Sequence, residues 1–405
     1  MKRVVITGMG IYSCLGITLE EVRKSLYEGK SAIVSDPSRK EMGFRSTLTA
    51  KLPLPDLKSV LNRHQRAFLS EEGLYAYWAT ADALRNAGID EDYLNHNTVG
   101  ILYGNDSSAE AVMKGVDRIR LMKDTTMCGA AALFQSMNST ITMNLGCLFH
   151  LRGINMTLSA ACASGSHAIG LGAILIRDGL QEMIICGGAQ EANPIGAAAF
   201  DGISAFSMRE DEPTKASRPF DRDRDGLVPS GGAATLILEE YDHAVKRGAT
   251  ILGEIIGYGF SGNGDHIANP NIEGPQNALL NSLRDAGLKP TDIQYINAHA
   301  TSTPIGDSSE AKAICQVFGE KTVPVTSTKS MTGHEMWAAG ATETVYSLLM
   351  MHNDFIAPNI NFENPDEDSQ HLWIPSTRLD QRFDTFLNNS FGFGGTNSSL
   401  IIRKL

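Results

Sequence analysis

The sequence predicts an α/β fold with buried strands, and three observations carry that expectation. Short β-branched apolar runs alternate with helix-like stretches along the 405 residues, the pattern of strands covered on both faces. Hydrophobic residues make up 42% of the chain, enough for a large core. No Ser/Gly/Pro linker or low-complexity stretch divides it.

Taken in order, residues 4–7, 99–103, 155–158, 183–186, 234–238, 251–258 and 400–403 are short apolar runs that read as strands. Residues 20–28 and 71–87 read as helices, the second stopping before Gly88, and 306–318 stops at Gly319. Residues 163–176 are almost all apolar or small, which predicts a helix buried on every side and ended by Asp178-Gly179. A further helix is expected over 336–351. Near residue 250 a helical stretch, 241–247, gives way to a new strand, so the natural division is 1–250 and 251–405.

The charge balance is 35 Lys+Arg against 46 Asp+Glu, a net −11. That argues against a nucleic-acid binder, which presents a basic face. Six cysteines (14, 128, 147, 162, 186, 315) are scattered without a CxxC pair or metal-ligand spacing. A long chain with such cysteines reads as a reduced, cytoplasmic enzyme. The first residues run straight into a strand-like segment with no signal-peptide pattern, and no apolar stretch reaches membrane-spanning length.

Chemistry concentrates in four strings. Cys162 sits in Ser159-Ala160-Ala161-Cys162-Ala163-Ser164-Gly165, between a strand and a buried helix. A sharp strand-to-helix turn presents a nucleophile into a pocket, and the positive end of the helix favours thiolate over thiol. An isolated cysteine is most often a small core residue; the turn and two downstream histidines set Cys162 apart from the other five. His299 follows a strand-like run in Asn297-Ala298-His299-Ala300-Thr301-Ser302-Thr303-Pro304, and His334 ends Lys329-Ser330-Met331-Thr332-Gly333-His334. One thiol and two imidazoles suit acyl transfer on a thioester, the N–H donors stabilising an enolate oxygen. The fourth string, Asn389-Ser390-Phe391-Gly392-Phe393-Gly394-Gly395-Thr396-Asn397, offers glycines that let backbone approach a thioester closely. It lacks the Lys-Ser/Thr of a phosphate-binding loop.

Two other motifs fail on inspection. Gly8-Met9-Gly10 begins a dinucleotide fingerprint, but Ser13 stands at the third glycine position. Asp221-Arg222-Asp223-Arg224-Asp225-Gly226 begins like a calcium loop, but Gly232 stands where the twelfth-position glutamate is needed. Neither a metal nor a bound cofactor is expected.

Together the four strings, with Ser217-Arg218-Pro219-Phe220-Asp221, make the chain resemble an elongating β-ketoacyl-acyl-carrier-protein synthase of the thiolase superfamily, nearest the type I class and over essentially its whole length. The resemblance implies a thiolase-like five-layered αβαβα fold built from two duplicated βαβαβ halves, and a homodimer. It implies that Cys162 takes an acyl group and that His299 and His334 assist decarboxylation of malonyl-carrier protein, with Lys329 supporting His334. The product is a 3-oxoacyl chain two carbons longer. Phe391 would gate the pocket, its N–H and that of Cys162 forming the oxyanion hole. Thr301 and Thr303 match threonines that bind the carrier's phosphopantetheine, and Glu310 and Glu343 match acids that support the site. Trp337 and Ala300 stand where glycines are usual, and Leu227-Val228-Pro229 replaces a phenylalanine-led string. These changes touch chain preference rather than chemistry and leave open a pathway-specific synthase, of polyene type for example, with a non-catalytic partner subunit. Because carrier proteins are acidic and this chain is net negative, docking requires a local basic patch, expected at Arg63 and Arg66 and at Arg118, Arg120 and Lys123.

Overall fold

The computed structural model describes residues 1–405. Its twelve strands are β1 (Val4–Ser13), β2 (Ile33–Ser35), β3 (Leu48–Ala50), β4 (Gly100–Gly104), β5 (Asn155–Leu158), β6 (Met183–Gln190), β7 (Gly232–Glu240), β8 (Gly253–Gly262), β9 (Tyr295–Asn297), β10 (Val325–Thr326), β11 (Thr385–Gly392) and β12 (Thr396–Arg403). β2 and β3 form a separate hairpin. The other ten join edge to edge in the order β10-β9-β11-β12-β8-β1-β7-β6-β4-β5.

That order is one pattern written twice. Within residues 4–240 the five strands lie third-second-fourth-fifth-first, and the five strands from β8 onward repeat it. The directions repeat as well. β4 runs parallel to β5 and β6, and β9 runs parallel to β10 and β11. The next two pairings in each half are antiparallel. Only Val5–Glu254 and Ile6–Gly253 link the halves by strand pairing.

Alternation along each strand sends side chains to different cores. Ile184, Leu236 and Leu238 join a central core, while Ile185 and Ile237 face an outer one. Leu400 and Ile402 enter the same central core, and Ile401 enters a second outer core. The central core also contains Ile169 and Ala173 of helix Ser164–Arg177 and Val345 and Leu348 of helix Ala339–His352. Helix Glu71–Asn86 covers the first half from outside. Helices Glu273–Ala286 and Pro304–Phe318 cover the second. Five layers, αβαβα, result, so the fold is the thiolase-like one.

The two central helices abut near their starts, where neither carries a side chain. A Cβ on Gly340 would lie 2.7 Å from the Ser166 nitrogen, and one on Gly165 would lie 3.2 Å from the Ala341 nitrogen. Helix Ala339–His352 is buried along its length except at His352. Two of its hydroxyls are satisfied inside the helix: Thr344 Oγ1 donates to the Gly340 carbonyl and Ser347 Oγ to that of Glu343.

Differences from the sequence reading have local causes. The expected helix over 336–351 starts at Ala339, because Met336 adopts φ 43 and a short 3-10 turn precedes it. The glycine-rich string at 389–397 is not one loop. It is the end of β11, a turn over Phe393–Gly395 and the start of β12. No helix is long and apolar enough to cross a membrane.

Candidate active site

β5 ends at Leu158 and helix Ser164–Arg177 begins six residues later, with Cys162 in the turn between. Ala161 takes φ 47, a conformation costly for a residue with a side chain. The turn is held locally. Ser164 Oγ donates to the Ala161 carbonyl and accepts from the Ala160 N–H, and the Ala161 N–H donates to Asp106. Gly392 packs against this turn so closely that a Cβ there would sit 2.9 Å from the Ala160 oxygen. The Cys162 N–H makes no hydrogen bond within the chain, leaving a donor beside the thiol.

His334 Nε2 lies 3.0 Å from Cys162 Sγ. The reactive atoms of Cys162, His299 and His334 all fall within 4.8 Å of one another. The two imidazoles stand nearly perpendicular, their centroids 5.3 Å apart. His299 reaches this point from the end of β9, and its backbone is clamped. Glu310 accepts the His299 N–H at 2.9 Å and the Ala300 N–H at 2.7 Å, and Asn389 holds the same carboxyl. Phe391, near the end of β11, sets its ring 6.0 Å from that of His299.

Burial governs the electrostatics. It pushes the Cys162 thiol up to about 12, with the Lys329 ammonium pulling the other way. The expectation of a resting thiolate is therefore corrected: a sulfur buried this deeply loses more by desolvation than the helix end returns. Burial, joined by Lys329, holds both His299 and His334 well below the usual histidine value, so both rings are neutral. A neutral imidazole in contact with a thiol can accept its proton at the moment of attack.

Lys329 and Glu343 form a buried ion pair behind the histidines. Neither lines the cavity that opens onto Cys162. That cavity holds about 390 Å³ and is lined by Cys162, His299, His334, Thr301, Thr303, Glu310 and Phe391. Thr301 and Thr303 share a hydroxyl contact at 3.1 Å on its wall.

The sequence reading missed the clasp behind those threonines. Arg224 donates to the carbonyls of Thr303 and Pro304 and pairs with Asp366, while Asp307 accepts the Phe220 and Thr303 N–H groups. The string that imitates a calcium loop supplies this clasp, with Asp221 held by Arg218 and by three backbone N–H groups. An acidic-basic alternation around a Pro-Phe turn was the available signal. The reading also missed Glu335, which is fully enclosed and accepts from Thr342 and Tyr346.

A buried thiol, two neutral imidazoles and a largely apolar cavity suit acyl transfer, and comparison with known proteins fixes the class. Residues 1–244 match the N-terminal domain of β-ketoacyl synthases and residues 252–363 match their C-terminal domain. The chain belongs to the β-ketoacyl synthase family. This synthase is 40% identical to 3-oxoacyl-[acyl-carrier-protein] synthase 1 of Haemophilus influenzae, over 100% of this chain and 99% of that one. A crystal structure of a β-ketoacyl synthase from Burkholderia phymatum superposes with a TM-score of 0.96 at 36% identity, covering 100% of both chains. A type II polyketide ketosynthase, AntDE, solved in complex with its acyl-carrier protein AntF, superposes with a TM-score of 0.90 at 27% identity, covering 100% of this chain and 99% of that one. The synthase is thus a β-ketoacyl-acyl-carrier-protein synthase, an acyltransferase that forms 3-oxoacyl chains by decarboxylative Claisen condensation.

Proposed function

We propose that Cys162 is the acylated nucleophile and that His299 and His334 serve both halves of the reaction. The contact between His334 Nε2 and Cys162 Sγ carries this reading. As the thiol attacks an acyl-carrier thioester, its proton passes to His334 and then to the departing carrier thiol, leaving acyl-Cys162 and a neutral imidazole. Malonyl-carrier protein follows into the cavity. Loss of carbon dioxide leaves an enolate whose oxygen receives N–H donation from His299 and from His334, the latter once it has taken a solvent proton at Nε2. Its carbon attacks the acyl carbonyl, the Cys162 N–H and the Phe391 N–H hold the resulting oxyanion, and Cys162 leaves as a thiolate that takes the Nε2 proton of His334. Lys329, Glu343 and Glu310 act as positioning residues, and Thr301 and Thr303 receive the phosphopantetheine arm that the carrier brings. In this reading the nucleophile comes from the unit 1–250 and both histidines from the unit 251–405.

The partner is an acyl-carrier protein, approaching over Arg63, Arg66, Arg118, Arg120 and Lys123. Supporting this, helix Arg63–Phe68 packs through Phe68 on Phe134 of helix Ala132–Gln135, which packs on helix Ala109–Met122, so the two basic groups share one side. The same region argues for a homodimer. β5 is the outermost strand of its half, Met156 on it is exposed, and helix Ala109–Met122 exposes Val112, Met113, Leu121 and Met122. An open strand edge beside exposed apolar side chains calls for a partner surface. The work is assigned to the cytoplasm and to fatty-acid synthesis or a related lipid pathway.

Intact-protein mass spectrometry in single turnover tests the reading. We expect an acyl adduct on the wild type that disappears when malonyl-carrier protein is added, and no adduct on Cys162→Ala. An adduct that persists in Cys162→Ala would sink the assignment. Wild-type protein that never acylates alone would point to a chain that needs a non-catalytic partner subunit. For docking, reversing Arg63 and Arg66 to Glu should raise KM for carrier protein roughly tenfold or more with little change in kcat. An unchanged KM removes those residues from the surface.

A further inference from the structure

Cys162 faces the cavity on one side and a plug on the other. Phe44, Phe206, Leu227, Met336 and Trp337 cluster around it. Leu227 also lines the cavity, whereas the other four do not. They pack in one apolar cluster with Cys162 without lining that cavity, so an acyl chain directed into this cluster would meet packed side chains.

Trp337 is the largest of them. Its indole Nε1 donates to Ser107 Oγ at 3.4 Å, and its ring lies tilted, 6.3 Å from that of Phe200. Its backbone has no room to retreat. A Cβ on Gly188 would sit 2.8 Å from the Trp337 carbonyl oxygen, and one on Gly165 would sit 3.0 Å from it, so both elements already touch it without side chains. Met336 at φ 43 turns the chain into this position. Only rotation of the indole itself could clear the path, and that would break the Ser107 contact.

We infer that Trp337 is a specificity-determining residue that closes the acyl pocket behind Cys162 and restricts the enzyme to short acyl donors. The inference rests on Cys162 being the acylated residue. A packed interior yields little to added volume, so each methylene beyond the space available must displace the ring.

The test compares Cys162 acylation rates from carrier proteins bearing saturated chains of increasing length, in the wild type, Trp337→Gly, Trp337→Leu and Ser107→Ala. The ratio of long-chain to short-chain rates should rise roughly tenfold or more in Trp337→Gly. It should rise less in Trp337→Leu, and measurably in Ser107→Ala, which frees the indole. An unchanged ratio in both Trp337 variants overturns the inference, as does a wild type that already accepts the longest chains at full rate. Should Trp337→Gly not fold, Trp337→Leu, which keeps an apolar filling, decides the matter. Failure of the underlying assignment looks different, because the adduct would then map away from Cys162.

Discussion

Cys162 lies two residues ahead of a long buried helix, where geometry favours a thiolate, yet its enclosure pushes the thiol up to about 12. The resting site therefore holds a protonated sulfur beside a neutral His334, and on the proposed reading the nucleophile forms only as substrate arrives. Iodoacetamide should label Cys162 slowly at neutral pH, with a rate that climbs steeply above pH ~10. Lys329→Ala should slow labelling further, since that ammonium is what pulls the thiol down. Fast labelling at neutral pH would contradict this account. Sequence made Cys162, His299 and His334 legible, because Cys162 and His299 sit in small-residue turns after strand-like runs and His334 closes a Thr-Gly string. It did not disclose the thiol's protonation, since burial depends on Phe206, Leu227 and Trp337, which are distant in the chain.

The elements show a second limit of local reading. β11 carries Asn388-Asn389, residues that favour turns, yet both are buried within a strand. Their amides are used across layers. Asn388 donates to the Gly340 carbonyl and to Thr344, and Asn389 donates to Glu310. Helix Glu273–Ala286 opens with Gly274-Pro275, which disguises it in the sequence. Gly8-Met9-Gly10, unconvincing as a dinucleotide motif, has a packing role instead. A Cβ on Gly10 would sit 2.1 Å from the Ala79 oxygen of the outer helix, and one on Gly259 would meet the Ala278 oxygen at 2.1 Å in the other half. Gly257-Tyr258-Gly259 is thus the counterpart of Gly8-Met9-Gly10, a trace of duplication in the letters themselves. Gly10→Ala and Gly259→Ala should each destabilise the protein by about 1–3 kcal/mol, read by denaturant unfolding. Unaltered midpoints would mean that the helices have room to move.

Across the whole molecule, several enclosed carboxyls share one consequence. Burial raises Glu72 to about 8 and Glu335 and Asp307 to about 7. From the ordinary carboxylate range upward, the unfolded chain releases these protons while the native chain keeps them. These carboxyls make stability fall as pH rises toward about 8, opposed around the usual histidine value by His299 and His334, which the native chain holds neutral. Denaturant midpoints should decline between pH ~6 and ~8, and Glu335→Gln should flatten that decline; a midpoint that climbs over this window would refute it. The five-layer architecture was read from resemblance, not from composition or periodicity, because strand order depends on crossovers that no local pattern encodes. The repeated strand order also has a historical meaning. Cys162 follows the third strand of the first half, and His334 follows the third strand of the second. If the halves descend from one ancestral gene, these loops began as the same loop, and the ancestor was a symmetric pair with identical residues facing each other across its axis. Fusion freed each copy to diverge, so one kept a sulfur and the other an imidazole. Asymmetric chemistry at a symmetric place is what gene fusion made available.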